Sequence, residues 1–263
     1  MNLTDLIRTR RSVRTFDGNP LTPEHLAELR EKLDTFRNPY GIPVEFVLLD
    51  AKEHGLSSPV IKGESLYIAG KVKAVPHSEE AFGYTMEELV LFLWERGIGT
   101  TWIGGTMKRE LFETAAQLTE DERMYCITPV GYPAEKMSLK ETAMRTAIQA
   151  DKRKPASELF FDGDFSHPLT DGTDAIKEAL ETVRLAPSAV NKQPWRIVRI
   201  GNAYHFFEKH SKGYVSERSG DMQKIDIGIA LCHFMRMTDG TLTLSDPHLT
   251  LPADTEYIAT VTV

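Results

Sequence analysis

Cysteine is scarce: Cys126 and Cys232 are the only two in 263 residues. One pair makes neither a disulfide framework nor a thiolate metal cluster, so a reducing, cytoplasmic compartment is the expectation. No apolar run reaches the roughly 18 residues needed to span a bilayer as a helix, so no membrane is expected as a partner. The N-terminus carries Asp5 early and has no apolar h-region or cleavage site, so no secretory signal is expected. The eight histidines are scattered, none at H-E-x-x-H or another ligating spacing, and no metal is expected. The G-x-S-x-G elbow, the P-loop and the dinucleotide G-x-G-x-x-G are all absent. Positive charge in bulk is missing too. Lys and Arg number 31 against 38 Asp and Glu, a net charge of −7 that argues against a nucleic-acid surface.

What is present is an ordinary globular composition, 41% hydrophobic and 26% charged, in a chain long enough to bury a substantial core. Against the acidic background, Arg8 to Arg14 and Lys152-Arg153-Lys154 stand out as local basic clusters. Such clusters suit a small anion held at one point better than a polyanion along a groove.

The chain also repeats itself once. Phe16-Asp17-Gly18 followed by Pro20-Leu21-Thr22 recurs as Phe161-Asp162-Gly163 followed by Pro168-Leu169-Thr170. Each is followed by a helical stretch and then a proline opening an apolar run, at Pro43 and at Pro194, and Leu29 and Leu180 keep the same offset. Later, Tyr125-Cys126-Ile127-Thr128 matches Tyr257-Ile258-Ala259-Thr260. The expected domains are residues 1–155 and a shorter second copy, 156–263.

Within the first copy, Thr22-Pro23-Glu24 reads as a helix start, with Leu26, Leu29 and Leu33 on one face. Val44 to Leu49 reads as a buried strand, and Leu66 begins another apolar segment. Residues 79 to 96 follow a period near 3.6 and are apolar beyond one face, which predicts a central helix. A helix over 108–118, a strand over 124–130 and a short helix over 139–148 follow. The second copy predicts helices over 174–184 and 225–237 and strands over 196–200, 204–207 and 257–263. Helices and strands mix in both halves, which predicts an α+β fold.

Three segments have the chemistry of a site. Arg10-Arg11-Ser12-Val13-Arg14 puts three guanidinium groups and a hydroxyl in five residues, and guanidinium forks suit phosphate oxygens. The alternative is a solvated basic N-terminus. Gly97-Ile98-Gly99-Thr100-Thr101-Trp102-Ile103-Gly104-Gly105 exposes backbone N–H groups to which a flat ligand has access, or is a plain interhelical turn. Pro187-Ser188-Ala189-Val190-Asn191-Lys192-Gln193-Pro194-Trp195 presents amides to a heteroaromatic edge, or is a helix-to-strand loop.

Together with Gly131-Tyr132-Pro133 and Arg153-Lys154-Pro155, these segments make the chain resemble the nitroreductase family of FMN-dependent oxidoreductases. The resemblance implies a nitroreductase-like α+β fold, an antiparallel central sheet flanked by helices, here internally duplicated. It implies FMN as cofactor, with Arg10, Arg11, Ser12 and Arg153 on the phosphate and ribityl chain. Arg14 and Lys62 would lie near N1 and O2 of the ring. Gly104 and Gly105 amides would face N5 and O4, and Pro187, Ser188, Ala189 and Asn191 would approach from the other half. The partners implied are NAD(P)H and a small aromatic acceptor such as a nitroaromatic, quinone or flavin, and no side chain is required as a catalytic acid or base. A flavin-binding sensor or store, or a family member that fragments flavin, are the alternatives. Ordinary members are homodimers that lend the P-S-x-x-N-x-Q-P-W segment to a partner's FMN. Here residues 34–43 lack that motif and the second copy carries it, which resembles a fused subgroup in which one chain completes one site and a monomer suffices.

Overall fold

Two long helices cross at the centre and a sheet packs on either side of them. The computed structural model describes all 263 residues. The first sheet contains β1 (Val44–Asp50), β2 (Leu66–Lys73), β3 (Glu122–Arg123) and β4 (Ile127–Val130), all antiparallel to β2. The second runs in the order β10 (Thr241–Thr243), β11 (Thr255–Thr262), β7 (Ala203–Lys209), β6 (Trp195–Ile200) and β5 (Phe160–Asp162). It is antiparallel apart from the β5–β6 edge. A two-stranded ribbon, β8 (Val215–Ser216) with β9 (Gly220–Asp221), stands apart. The fold is thus α+β with antiparallel sheets flanked by helices, and the expected central sheet is two sheets. No helix is long and apolar enough to cross a membrane.

The two halves share a core order of helix, two strands, helix and strand, with further elements between these in each. Thr22 caps α2 (Pro23–Leu33) by accepting the His25 N–H at 3.3 Å, and Thr173 caps α6 (Asp174–Leu185) by accepting the Ile176 N–H at 3.3 Å. A proline then precedes each first strand, and β1–β2 and β6–β7 are antiparallel pairs. Next come α3 (Ser78–Glu95) and α7 (Met222–Thr238), followed by β4 and β11, which return to β2 and β7. The halves differ at their openings. Phe161 sits in β5 opposite Val198, whereas Phe16 makes only an isolated bridge to Pro133.

Helices α3 and α7 are buried on most sides, and their crossing explains why two positions lack side chains. A Cβ on Gly83 would meet the Ile225 carbonyl, and a Cβ on Gly228 would meet the Glu80 carbonyl. The contacts are reciprocal, so the backbones approach as closely from one half as from the other. Each helix then faces its own core. Phe82, Met86 and Leu89 pack with Phe46 and Ile68, and Ile229, Leu231 and Phe234 pack with Trp195 and Phe206.

One helix is unannounced by the sequence reading. α1 (Leu3–Thr9) is capped by Asn2, whose side chain accepts the Asp5 N–H at 2.8 Å, and it buries Leu6 and Ile7 against Leu91. Its last carbonyl bond comes from the Arg10 N–H to Leu6 O at 3.0 Å, so the arginine cluster starts at a fixed point and not in a solvated tail. The short helix expected over 139–148 is α5 (Leu139–Ala147), and α4 (Arg109–Ala115) follows the glycine segment as expected.

Candidate flavin-binding cavity

Eleven of the twelve residues singled out in the sequence line one cavity of about 620 Å³. They are Arg10, Arg11, Ser12, Arg14, Gly104, Gly105, Arg153, Pro187, Ser188, Ala189 and Asn191. Lys62 does not line it. Its backbone pairs beside the cluster, with Lys62 N–H donating to Arg14 O at 3.0 Å. The volume lies within the range usual for cofactor sites.

The segment 12–13 is held against the glycine run by a parallel bridge between Ser12 and Thr100 and by Val13 N–H donating to Thr100 O at 2.8 Å. That alignment sends Arg10, Arg11 and Arg14 toward the region reached by Arg153, and Arg145 joins them from the last turn of α5. Burial holds Arg10, Arg14 and Arg153 below the ordinary arginine range, and Arg145 pushes all three the same way. Arg10 and Arg184 add to the effect on Arg153. Guanidinium groups stay protonated regardless. Burial chiefly, and neighbouring cations after it, disfavour these charged groups, and an anion placed among them would offset that.

Some compensation exists. Arg11 reaches Glu141 at 3.4 Å, and Arg145 reaches Asp151 at 2.6 Å. Arg10 Nε lies 3.8 Å from Glu87 Oε1, and that carboxylate is already shared with His233 Nε2 at 3.0 Å. Even so, Nε of Arg10 and Nε of Arg153 are buried without a hydrogen-bond partner. Two orphaned guanidinium donors in a cavity wall fit a phosphate-bearing group.

The glycine wall offers the complementary feature. Gly104 and Gly105 N–H groups donate to no protein acceptor. Around Gly105 a Cβ would meet nothing within 4 Å, so that side of the backbone is open. At Gly104 a Cβ would press on the Met222 methyl at 3.0 Å and approach Cys126 Sγ at 3.5 Å. The space kept clear at Gly104 is therefore shared with side chains of the wall. Arg109 fixes this turn from outside, donating to Gly104 O at 2.8 Å. Cys126, whose thiol burial pushes up to about 12, is an inert part of the lining.

The second half closes the cavity with the 187–193 loop and the start of α7. Val190 (φ 48), Asn191 (φ 56) and Gln193 (φ 51) all occupy the left-handed region. For β-branched Val190, 56% exposed, that is a strained backbone held by its surroundings. The holding contacts are visible. Ala189 N–H donates to both carboxyl oxygens of Asp226, at 3.0 and 3.1 Å. Gln193 N–H donates to Ser188 Oγ at 2.9 Å, and Gln193 Oε1 accepts the Lys154 N–H at 2.8 Å.

Asn191 differs from the sequence expectation of an amide presented to a ring edge. Its Nδ2 donates to Gln149 O at 2.7 Å and Lys152 O at 2.9 Å, while its Oδ1 accepts from Arg153 at 3.4 Å. It orients the Arg153 loop as well as lining the cavity.

Arg145 and Asp226 were not found from the sequence. Arg145 looks like any basic residue closing a helix. Asp226 did leave a signal, as the single carboxylate within the apolar run Ile225 to Cys232. It is 3% exposed and burial holds its carboxyl well above the usual carboxylate range.

Comparison with known proteins gives the family and the fold. The family model described as "Putative TM nitroreductase" matches residues 2–238. No curated protein matches the sequence. Among solved structures, the Thermotoga maritima protein described as a putative nitroreductase is 21% identical, with a TM-score of 0.61 over 100% of this chain and 94% of its own. An FMN-dependent nitroreductase of Clostridium difficile is 18% identical, with a TM-score of 0.43, over 51% of this chain and 88% of its own. An iodotyrosine deiodinase bound to FMN and 3-iodo-L-tyrosine is 20% identical, with a TM-score of 0.43, over 52% of this chain and 92% of its own. With the family model matched over nearly its whole length, the chain belongs to this nitroreductase family.

Proposed function

We propose that this chain is an FMN-dependent oxidoreductase that draws hydride from NAD(P)H and reduces a small aromatic acceptor. The observation that carries the reading is the convergence of two unlike walls on one cavity. Poorly compensated guanidinium groups stand at one end and unpaired backbone amides stand along the glycine segment. A phosphate-bearing group with a flat, polar-edged ring system matches both.

In this reading Arg10, Arg11, Ser12, Arg145 and Arg153 hold the phosphate and ribityl chain. Arg14 lies toward the ring and favours negative charge there, and the Gly104 and Gly105 amides offer donors to the ring edge. FMN, when bound, supplies acceptance and delivery of hydride. The chain's own part is to bind, to orient and to limit water. Met222, Ile225 and Ile229 of α7 furnish apolar surface beside the amides, and the Pro187–Asn191 loop covers the cavity from the second half.

The same reading treats residues 1–155 and 156–263 as two related copies, the second standing in for the partner subunit of a homodimer. Supporting it are the shared element order and the reciprocal glycine contacts of α3 and α7. One FMN per chain is expected, with the flavin retained by a monomer. Flavin released from purified protein is quantified against chain concentration, and bleaching by NADH and by NADPH is followed in stopped flow. A ratio near two would contradict a single site, and a flavin that neither nucleotide bleaches would make the protein a binder.

A further inference from the structure

The α3–α7 crossing has a second side. Opposite the basic cavity lies another, of about 530 Å³, and several lining positions correspond. Cys126 lines the first and Ile258 the second, at matching places in the Tyr125 and Tyr257 segments. Ile225 lines the first and Glu80 the second, the two residues whose carbonyls meet the crossing glycines. Met222 and His77, three residues before each, complete the correspondence.

The chemistry is inverted. Where the first cavity gathers guanidinium groups, the second is lined by Glu79, Glu80, Glu217 and Asp221. Lys224 also lines it, but its Nζ is engaged with Glu256 at 2.8 Å. Glu80 is 2% exposed. Its Oε1 meets His77 Nδ1 at 3.3 Å, while its Oε2 has no hydrogen-bond partner. A buried carboxylate oxygen without a donor is expensive to hold, and a ligand bearing N–H donors and positive charge would satisfy it.

We propose that this second cavity binds a small organic ammonium ion, with Glu80 as its buried anchor and Glu79 and Glu217 drawing it in. The walls favour an organic cation over a bare metal ion. Val215 and Ile258 supply apolar surface, Tyr257 supplies an aromatic face suited to an ammonium group, and the volume exceeds what a metal needs. The residues whose ligating atoms do gather within 4.8 Å, Glu208, His210 and Glu256, are not among the lining residues. The correspondence of position rests on the two-copy reading, whereas the charge and the orphaned oxygen stand without it.

The test is isothermal titration of the flavoprotein as purified with butane-1,4-diamine, and separately with magnesium chloride at matched ionic strength. One diamine site per chain is expected, weakening as salt screens the carboxylates. Glu80→Gln should weaken binding about tenfold or more, the usual effect of losing a charge-assisted contact. Glu79→Gln/Glu217→Gln, placed nearer solvent, should weaken it less and serves if Glu80→Gln does not fold. Flavin content should stay at the wild-type level throughout, so failure here and failure of the flavin reading are separable. No saturable diamine binding, binding unchanged in all variants, or magnesium competing at the same stoichiometry would each overturn the proposal.

Discussion

The two cavities beside the α3–α7 crossing are lined by side chains of opposite charge. On the side lined by Met222 and Cys126 the charged groups are mostly arginines, and the glycine segment leaves amides free. On the side lined by His77 and Ile258 there is no glycine segment, the charged groups are mostly carboxylates, and Tyr40 stacks on His77 at 5.4 Å. One helix crossing thus borders two cavities, and a few side chains decide what each would admit.

The largest effect is expected from Arg10→Ala/Arg153→Ala. Each substitution removes a buried guanidinium, and losing two charge-assisted contacts should weaken FMN binding by roughly 3–6 kcal/mol. Measured by ultrafiltration of added FMN, the double variant should retain almost none, while its circular dichroism stays native. Arg153 also donates to Ala150 O, Lys152 O and Leu185 O, so the unloaded variant should lose some stability, which urea unfolding measures separately from flavin retention. If the variant copurifies with as much flavin as wild type, the basic cavity is not the phosphate site and the contrast between cavities has no functional meaning.

The scaffold side of the comparison is tested by Gly83→Ala and Gly228→Ala. Either methyl would meet a carbonyl of the facing helix, and overpacking of this kind costs about 1–3 kcal/mol. The reciprocal geometry predicts similar losses for the two, read as equal shifts of the urea midpoint. A large loss at one and none at the other would mean that the crossing is less symmetric than the contacts indicate.

Much of this scaffold was legible because its signals are periodic. Pro43 and Pro194 mark strand starts, Thr22 marks a helix cap, and the apolar breadth of residues 79–96 marks a buried helix. The same reading passed over α1, where seven residues give only Leu3, Leu6 and Ile7 as a pattern, and the two-residue strands β8 and β9. The candidate site was legible where chemistry is concentrated in a few consecutive residues, as at Arg10 to Arg14 and Pro187 to Asn191. It was hidden where a residue matters through distant neighbours. Arg145 takes its meaning from Arg10, Arg14 and Arg153, and Asn191 from the carbonyls of Gln149 and Lys152. Lys62, carried over from the resemblance, is near the cluster through its backbone alone.

A smaller effect, distinctive in its pH dependence, is expected of Asp226→Asn. Burial raises the Asp226 carboxyl, Glu208 and Asp221 add to it, and the Ala189 N–H alone opposes it. The folded chain therefore keeps a proton that the unfolded chain releases above its ordinary value. Folded binds more protons than unfolded, so this group lowers stability as pH rises from the unfolded toward the folded value. The amide introduced by the substitution can still accept the Ala189 N–H but has no proton to lose. The difference in stability between variant and wild type should thus move in favour of the variant as pH rises from about 4 upward, followed by urea unfolding across that range. A difference independent of pH would place the carboxyl in water and not in the cavity wall.

The smallest effect separates a residue that orients the site from one that merely sits near it. Asn191 spends its side chain on Gln149 O, Lys152 O and Arg153, so Asn191→Ala loosens the Arg153 loop without removing a charge. Neutral contacts of this kind are worth about 1 kcal/mol, so FMN affinity should fall roughly fivefold. The phosphate end should account for the loss, since the glycine amides are untouched. Riboflavin, which lacks the phosphate, distinguishes the two ends: its affinity should hardly change in Asn191→Ala. Lys62→Ala is the matched control, because a side chain outside the cavity lining should leave both ligands bound as in wild type. A loss of riboflavin equal to the loss of FMN would move Asn191 to the ring. Asn191 would then meet the flavin directly and not through Arg153.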